Sequence, residues 1–125
     1  MERSLPTGRA RRIALVAAGG FAGATSRHAV VLAAPTPELG TLAVNVAGSF
    51  ALGILLDLAR RTDAVSRRAR LLLGTGFLSS FTTYSTFAAE TAALAPRWAV
   101  ATVAANYALG FLAVVLAGFL GRWAA

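Results

Sequence analysis

The 125-residue chain has no cysteine, no lysine, one histidine and five acidic residues. Without cysteine there can be no disulfides, thiolate nucleophiles, iron–sulfur clusters or cysteine-type zinc sites. His28 alone cannot build a metal centre. Charged residues make up 14% of the chain, against about 25% in an ordinary soluble domain. Asp57, Glu90 and His28 fall on different expected segments, and no carboxylate pair, Ser/His/Asp set or phosphate-cradling glycine loop occurs in a suitable context. No enzyme is expected.

What the chain does hold is apolar. Hydrophobic residues reach 57%, where about 45 to 50% is usual, and the mean hydropathy is +0.66. All twelve basic residues are arginine, giving a net charge of +7. A basic nucleic-acid binder needs polar neighbours around its arginines, so the implied partner is membrane lipid and not nucleic acid. At about 20 residues per span, this length allows about four transmembrane helices in a single transmembrane domain covering 1–125.

The expected spans are 13–33, 41–58, 71–94 and 98–120, with 1–12 as a polar arm in which Pro6 and Gly8 argue against a stable helix. A cleaved signal peptide is the competing reading of the start, but Arg27 and His28 interrupt the stretch where a cleavage region should be featureless. The linker 35–40 is turn-forming, and the arginine-rich segment 60–70 is expected outside the membrane. Four spans put both ends on one side. That side carries Arg3, Arg9, Arg11, Arg12, Arg60, Arg61, Arg67, Arg68, Arg70 and Arg122, ten of the twelve. Positive-inside counting therefore places both termini in the cytoplasm of a multi-pass plasma-membrane protein.

The third span is unusual. Residues 79–86, SSFTTYST, carry a hydroxyl at seven of eight positions. Polar groups at membrane depth are tolerated where they face protein or a water-filled path, and Gly74 and Gly76 ahead of them suit a locally broken helix. Helical spacing puts Tyr84 and Phe87 on one face and Thr83, Thr86 and Glu90 on an adjacent stripe. Asn45, mid-span elsewhere, brings an amide that needs either a hydrogen-bonding partner or a permeant species. Gly19 and Gly23 stand at GxxxG spacing, a sign of helix packing.

Three segments carry a resemblance: GGFAGATSRH (19–28), GTLAVNVAGSFALG (40–53) and GTGFLSSFTTYSTFAAE (74–90) are similar to the signature segments of the CrcB/Fluc fluoride channel family. The resemblance implies an all-α membrane protein with four transmembrane helices per subunit, the third broken mid-membrane, assembled as an antiparallel dimer. It further implies passive, fluoride-selective export that relieves fluoride toxicity, with a structural sodium ion (Na+) at the dimer centre. By the same likeness Asn45, Tyr84, Ser85, Thr86, Phe87, Glu90 and Asn106 belong to the fluoride pathway, with Thr102 one turn before Asn106. Arg27 matches a vestibule arginine, and Ser79 and Thr82 fall where the family ligates sodium through backbone carbonyls. Two departures stand out: Tyr84 where the family usually has Phe, and Ser79-Ser80 where a Gly pair is usual.

These residue types suit a small, strongly hydrated halide. Asn amides and Ser or Thr hydroxyls donate hydrogen bonds without fixed charge, ring edges are positive without being ionic, and conduction requires binding weak enough to allow exit. The charge bias adds a further expectation. An antiparallel homodimer needs a chain that inserts both ways, so so asymmetric a sequence is expected to pair with an oppositely biased paralogue. Two other classes compete with the channel: a small multidrug-type exporter, which needs an acidic residue in the first span where this chain has none, and a purely structural membrane subunit.

Overall fold

The computed structural model describes residues 7–124, so the part of the expected arm at 1–6, with Arg3, lies outside the described residues. Among the described residues every regular element is helical. Helix α1 spans Thr7–Ala33 and α2 spans Pro37–Arg61; α3 is a composite rod over 67–81 whose middle, Arg70–Leu78, is π-helical; α4 spans Ser85–Ala93 and α5 Pro96–Ala124.

Three of these, α1, α2 and α5, are long and apolar enough to cross a bilayer. The segment 67–93 is divided instead, because helicity stops at Phe81 and resumes at Ser85. Thr82 there is extended, at φ −81° and ψ 158°. Thr83 therefore lies off any helix, and the stripe expected to join it to Thr86 and Glu90 reduces to Thr86 and Glu90 on α4.

The element ends follow local chemistry. Thr36 caps α2, its hydroxyl accepting from the Leu39 N–H at 3.3 Å, with Pro37 at the first helical position and Glu38 in the first turn. The turn after α1 thus ends at Thr36, earlier than the expected 35–40. Ser66 caps α3 by accepting from Ala69 N–H at 3.1 Å, which confines the loop after α2 to 62–66. The expectation of a non-helical arm fails for residues 7–12, which form the first turns of α1. A glycine costs a helix only about 1 kcal/mol, and Gly8 is outweighed by the apolar helix that follows it.

Packing runs along two helix pairs, α1 on α3 and α2 on α5. The glycines make the first pair possible by close approach, since every glycine among the described residues has a negative φ. A Cβ at Gly19 would strike the Leu72 carbonyl oxygen, one at Gly23 the Phe77 carbonyl oxygen, and one at Gly76 would lie 2.8 Å from the Val16 carbonyl oxygen. The Gly19/Gly23 spacing is thus a backbone-to-backbone seam. In the second pair Gly121 abuts the Asp57 carboxylate, whose other oxygen accepts from Arg61 Nε at 2.8 Å. The core is thin: Val44, Leu78, Phe87, Ala113 and Ala117 are buried, while Phe21, Val100, Phe111 and Trp123 are exposed. An apolar exterior around a small interior is the arrangement a lipid solvent permits.

Gly23→Val should lower thermal stability in detergent by about 2 kcal/mol or more through overpacking. Gly118→Ala, where a Cβ meets nothing within 4 Å, should be neutral or stabilising by up to about 1 kcal/mol. Thermal unfolding of the two variants beside the parent checks both outcomes.

Candidate functional site

Interrupting a helix in apolar surroundings strands backbone donors and acceptors that water cannot reach. Here the break at 82–84 is met by side chains from other helices. Asn45 on α2 faces Thr83 as a matched pair: its Oδ1 accepts from the Thr83 N–H at 2.8 Å, and its Nδ2 donates to the Thr83 carbonyl at 3.0 Å. The same Nδ2 donates to Asn106 Oδ1 at 3.2 Å, and Asn106 Nδ2 donates to the Thr102 carbonyl at 2.9 Å. Both N–H bonds of the Asn45 amide are thereby used. The need for a partner that the sequence raised at Asn45 is met within the chain.

Gly48 is what lets the break sit there. A Cβ at that position would collide with the Thr82 methyl, so α2 is smooth one turn after Asn45. From another helix, Arg27 of α1 donates through Nη1 to the Ser80 carbonyl at 2.9 Å and reaches the Thr82 carbonyl at 3.5 Å. Thr83 also caps α4, its hydroxyl accepting from the Thr86 N–H at 3.1 Å. Thr82 Oγ1 and Thr82 N–H both return to the Leu78 carbonyl, at 3.0 and 3.1 Å. The Ser79 hydroxyl turns back onto the Thr75 carbonyl. Among the described residues, the Ser79 carbonyl accepts no hydrogen bond, and the Tyr84 and Ser85 N–H groups donate none.

Beside the break lies an open groove of about 740 Å³. Of the residues singled out in the sequence, Asn45, Gly74, Ser79, Thr82, Thr83, Tyr84, Phe87 and Asn106 line it. Ser85, Thr86, Glu90 and Arg27 are not on its wall. Ser85 is exposed near Thr83, 3.4 Å between hydroxyl oxygens. Glu90 accepts from the buried Thr41 hydroxyl at 3.1 Å, which fastens α4 to α2.

The aromatic wall is larger than the sequence suggested. Tyr84 and Phe87 rings lie 5.8 Å apart and tilted, and Phe87 meets Tyr107 of α5 edge-on at 6.2 Å and 80°. Tyr107 was not singled out beforehand, and helical periodicity offers no cue because it is the immediate neighbour of Asn106 rather than a turn away. Thr83 could have been found as a cap, standing three residues before Thr86 at the start of a helix.

Asn45→Ala would leave the Thr83 N–H and carbonyl unpaired, at a cost of about 1 to 3 kcal/mol per stranded group. Asn45→Asp keeps the acceptor but loses the donor to the Thr83 carbonyl. Unfolding in detergent should rank the parent above both variants, with hydrogen exchange of the Thr83 amide accelerated more by Ala than by Asp.

Residues 14–121 match the family model described as "CrcB-like protein, Camphor Resistance (CrcB)". The chain is 56% identical over 114 residues to a protein of Natronomonas pharaonis named fluoride-specific ion channel FluC 1, covering 90% of this chain and 96% of that one. It is 59% identical over 108 residues to fluoride-specific ion channel FluC 2 of Halobacterium salinarum, covering 86% and 84%. A more distant relative, fluoride-specific ion channel FluC of Chelativorans sp., is 43% identical over 116 residues, covering 89% and 93%. With the match running from α1 to the end of α5, this chain belongs to the CrcB family.

Proposed function

We propose that this protein is a fluoride-selective channel that lets fluoride leave the cell passively across the plasma membrane. It acts as a channel and not as an enzyme, in keeping with relatives named as ion channels. One observation carries the reading: uncharged donors and ring edges gather at a helix break beside a groove, on Asn45, Tyr84, Phe87 and Asn106. Fluoride would pass along these groups, with Ser85, Thr86 and Glu90 continuing the path on α4 and Arg27 at its vestibule. The free N–H groups of Tyr84 and Ser85 stand at the positive end of α4, which favours an anion. The donors on Asn45, Asn106, Ser85, Thr86 and Tyr84 are neutral, so the ion is solvated there without being trapped.

The groove is open on the single chain, which leaves a face for a second subunit to close, antiparallel to the first as the family resemblance implies. Among the described residues, the Ser79 carbonyl has no hydrogen-bond partner and the Thr82 carbonyl has only Arg27 at 3.5 Å. Carbonyls in the last turn of a half-helix, as at Ser79, and unwound carbonyls, as at Thr82, are the kinds of group that hold Na+ in membrane proteins. These two, with their counterparts in the second subunit, would hold a sodium ion that supplies a fixed central positive charge. Ser79 takes a helical backbone conformation, φ −66° and ψ −26°, so the serine in place of the usual glycine is accommodated without strain.

Nine of the described arginines crowd the end formed by the start of α1, the end of α2, the start of α3 and the end of α5. That end lies in the cytoplasm by the positive-inside rule, and the bias favours pairing with an oppositely oriented paralogue. A chain labelled at its C-terminus should be accessible from one side of the membrane only. Equal labelling from both sides would instead support a homodimer. In fluoride-loaded liposomes, the chain reconstituted with such a partner should release fluoride and retain chloride. Phe87→Ala should abolish release while the dimer persists on size exclusion. Equal or absent flux of the two halides in the parent defeats the proposal.

A further inference from the structure

The resemblance casts Arg27 as a vestibule residue, yet its geometry ties it to the backbone of the break. In an unbroken helix the Ser80 carbonyl would accept from the Tyr84 N–H. The break turns that donor away, and Arg27 Nη1 takes its place at 2.9 Å, with the Thr82 carbonyl at 3.5 Å from the same nitrogen. The approach is built into α1. Gly23, one turn before Arg27, lies against the Phe77 carbonyl, and Gly20 leaves room for the Ser80 side chain, 3.3 Å from where its Cβ would be. The seam that admits α1 to the α3 backbone thus delivers the guanidinium to the carbonyls that follow.

We infer that Arg27 is a positioning residue: it fixes the direction of the Ser80 and Thr82 carbonyls, and so the shape of the break, from a different helix than Asn45. The break is held by two clamps from two helices. Asn45 takes both backbone groups of Thr83, and Arg27 takes the carbonyls on the α3 side. A guanidinium suits this place because its donors are arranged in a rigid plane, so that a nitrogen aimed at one carbonyl stays aimed. A guanidinium carries five N–H bonds, and among the described residues only Nη1 has partners. Donors beyond those on Nη1 can then meet an anion, which makes a positioning role separable from an attracting one.

This inference rests on the channel reading for its effect on flux, but not for its effect on the break. The experiment compares Arg27→Gln and Arg27→Lys with the parent, purified and in liposomes together with whatever partner subunit the parent needs. Backbone amide exchange at 82–86 is read against α5, and fluoride efflux is read against fluoride concentration. Arg27→Gln should speed exchange at the break by about tenfold or more while α5 is unchanged. Maximal flux should fall by about tenfold, and half-saturating fluoride should move by less than about twofold. Arg27→Lys, which can still donate to the Ser80 carbonyl, should recover part of the protection and part of the flux. Unchanged exchange at the break overturns the inference, as does a shift in half-saturating fluoride with maximal flux kept, the mark of an attracting charge alone. A uniform rise in exchange across all helices would also overturn it, by reducing Arg27 to general stability. If Arg27→Gln yields no folded protein, the Arg27→Lys comparison decides the same question. A parent that passes no fluoride defeats the channel proposal, while the exchange data still decide the role of Arg27.

Discussion

The structure depends on how a helix can be interrupted where water is scarce. Each residue taken out of the helical ladder releases a donor and an acceptor, and in hydrocarbon an unpaired group costs several kcal/mol. Three residues are released here, and the chain meets most of the debt with side chains: Asn45 for Thr83, Arg27 for Ser80, and the Thr83 hydroxyl for Thr86. Among the described residues, the groups left over at the break include the Ser79 and Phe81 carbonyls and the Tyr84, Ser85 and Phe87 amides.

Small residues matter for the same reason. Gly19, Gly23 and Gly76 bring α1 against α3, and Gly48 brings α2 against Thr82. Arg27 and Asn45 reach the break because the backbones carrying them approach so closely. Without that approach, a guanidinium or amide would face lipid and cost more than it stabilised. Packing glycines and polar clamps therefore form one device, and a substitution in either disturbs the other.

Much of this was legible beforehand, and the reasons differ by element. The long helices follow from unbroken apolar runs, and the interruption from hydroxyl side chains crowded into 79–86. The cap by Thr83 and the use of Asn45 on backbone are less visible, because hydroxyls and amides serve equally well as pore donors, caps or clamps. The π-helical turn over Arg70–Leu78 leaves no trace in apolar periodicity, since it changes register by one residue within a uniformly apolar stretch. The helical start at Thr7 was hidden by Gly8, a local preference that a 27-residue helix overrides. Tyr107 was obscured by standing beside a residue of obvious polarity.

The satisfied state of Asn45 bears on how an anion could move past it. A free amide N–H aimed into a dry groove would bind fluoride strongly, because charge-assisted hydrogen bonds run to about 1.5 to 3 kcal/mol even net of solvent. Asn45 has no such spare donor, since its two N–H bonds already go to Thr83 and Asn106. An ion at Asn45 on the proposed pathway must therefore exchange with one of them, and the neutral bond it displaces returns about 1 kcal/mol when the ion departs. The difference is small enough for entry and exit to be comparably easy, which is the condition conduction imposes. Asn106 is the more readily surrendered partner, because its bond to Asn45 is the longer and its own amide stays anchored on Thr102. The clamp on Thr83 can then remain closed while the ion passes, so the group that shapes the break and the group that solvates the ion can be one side chain.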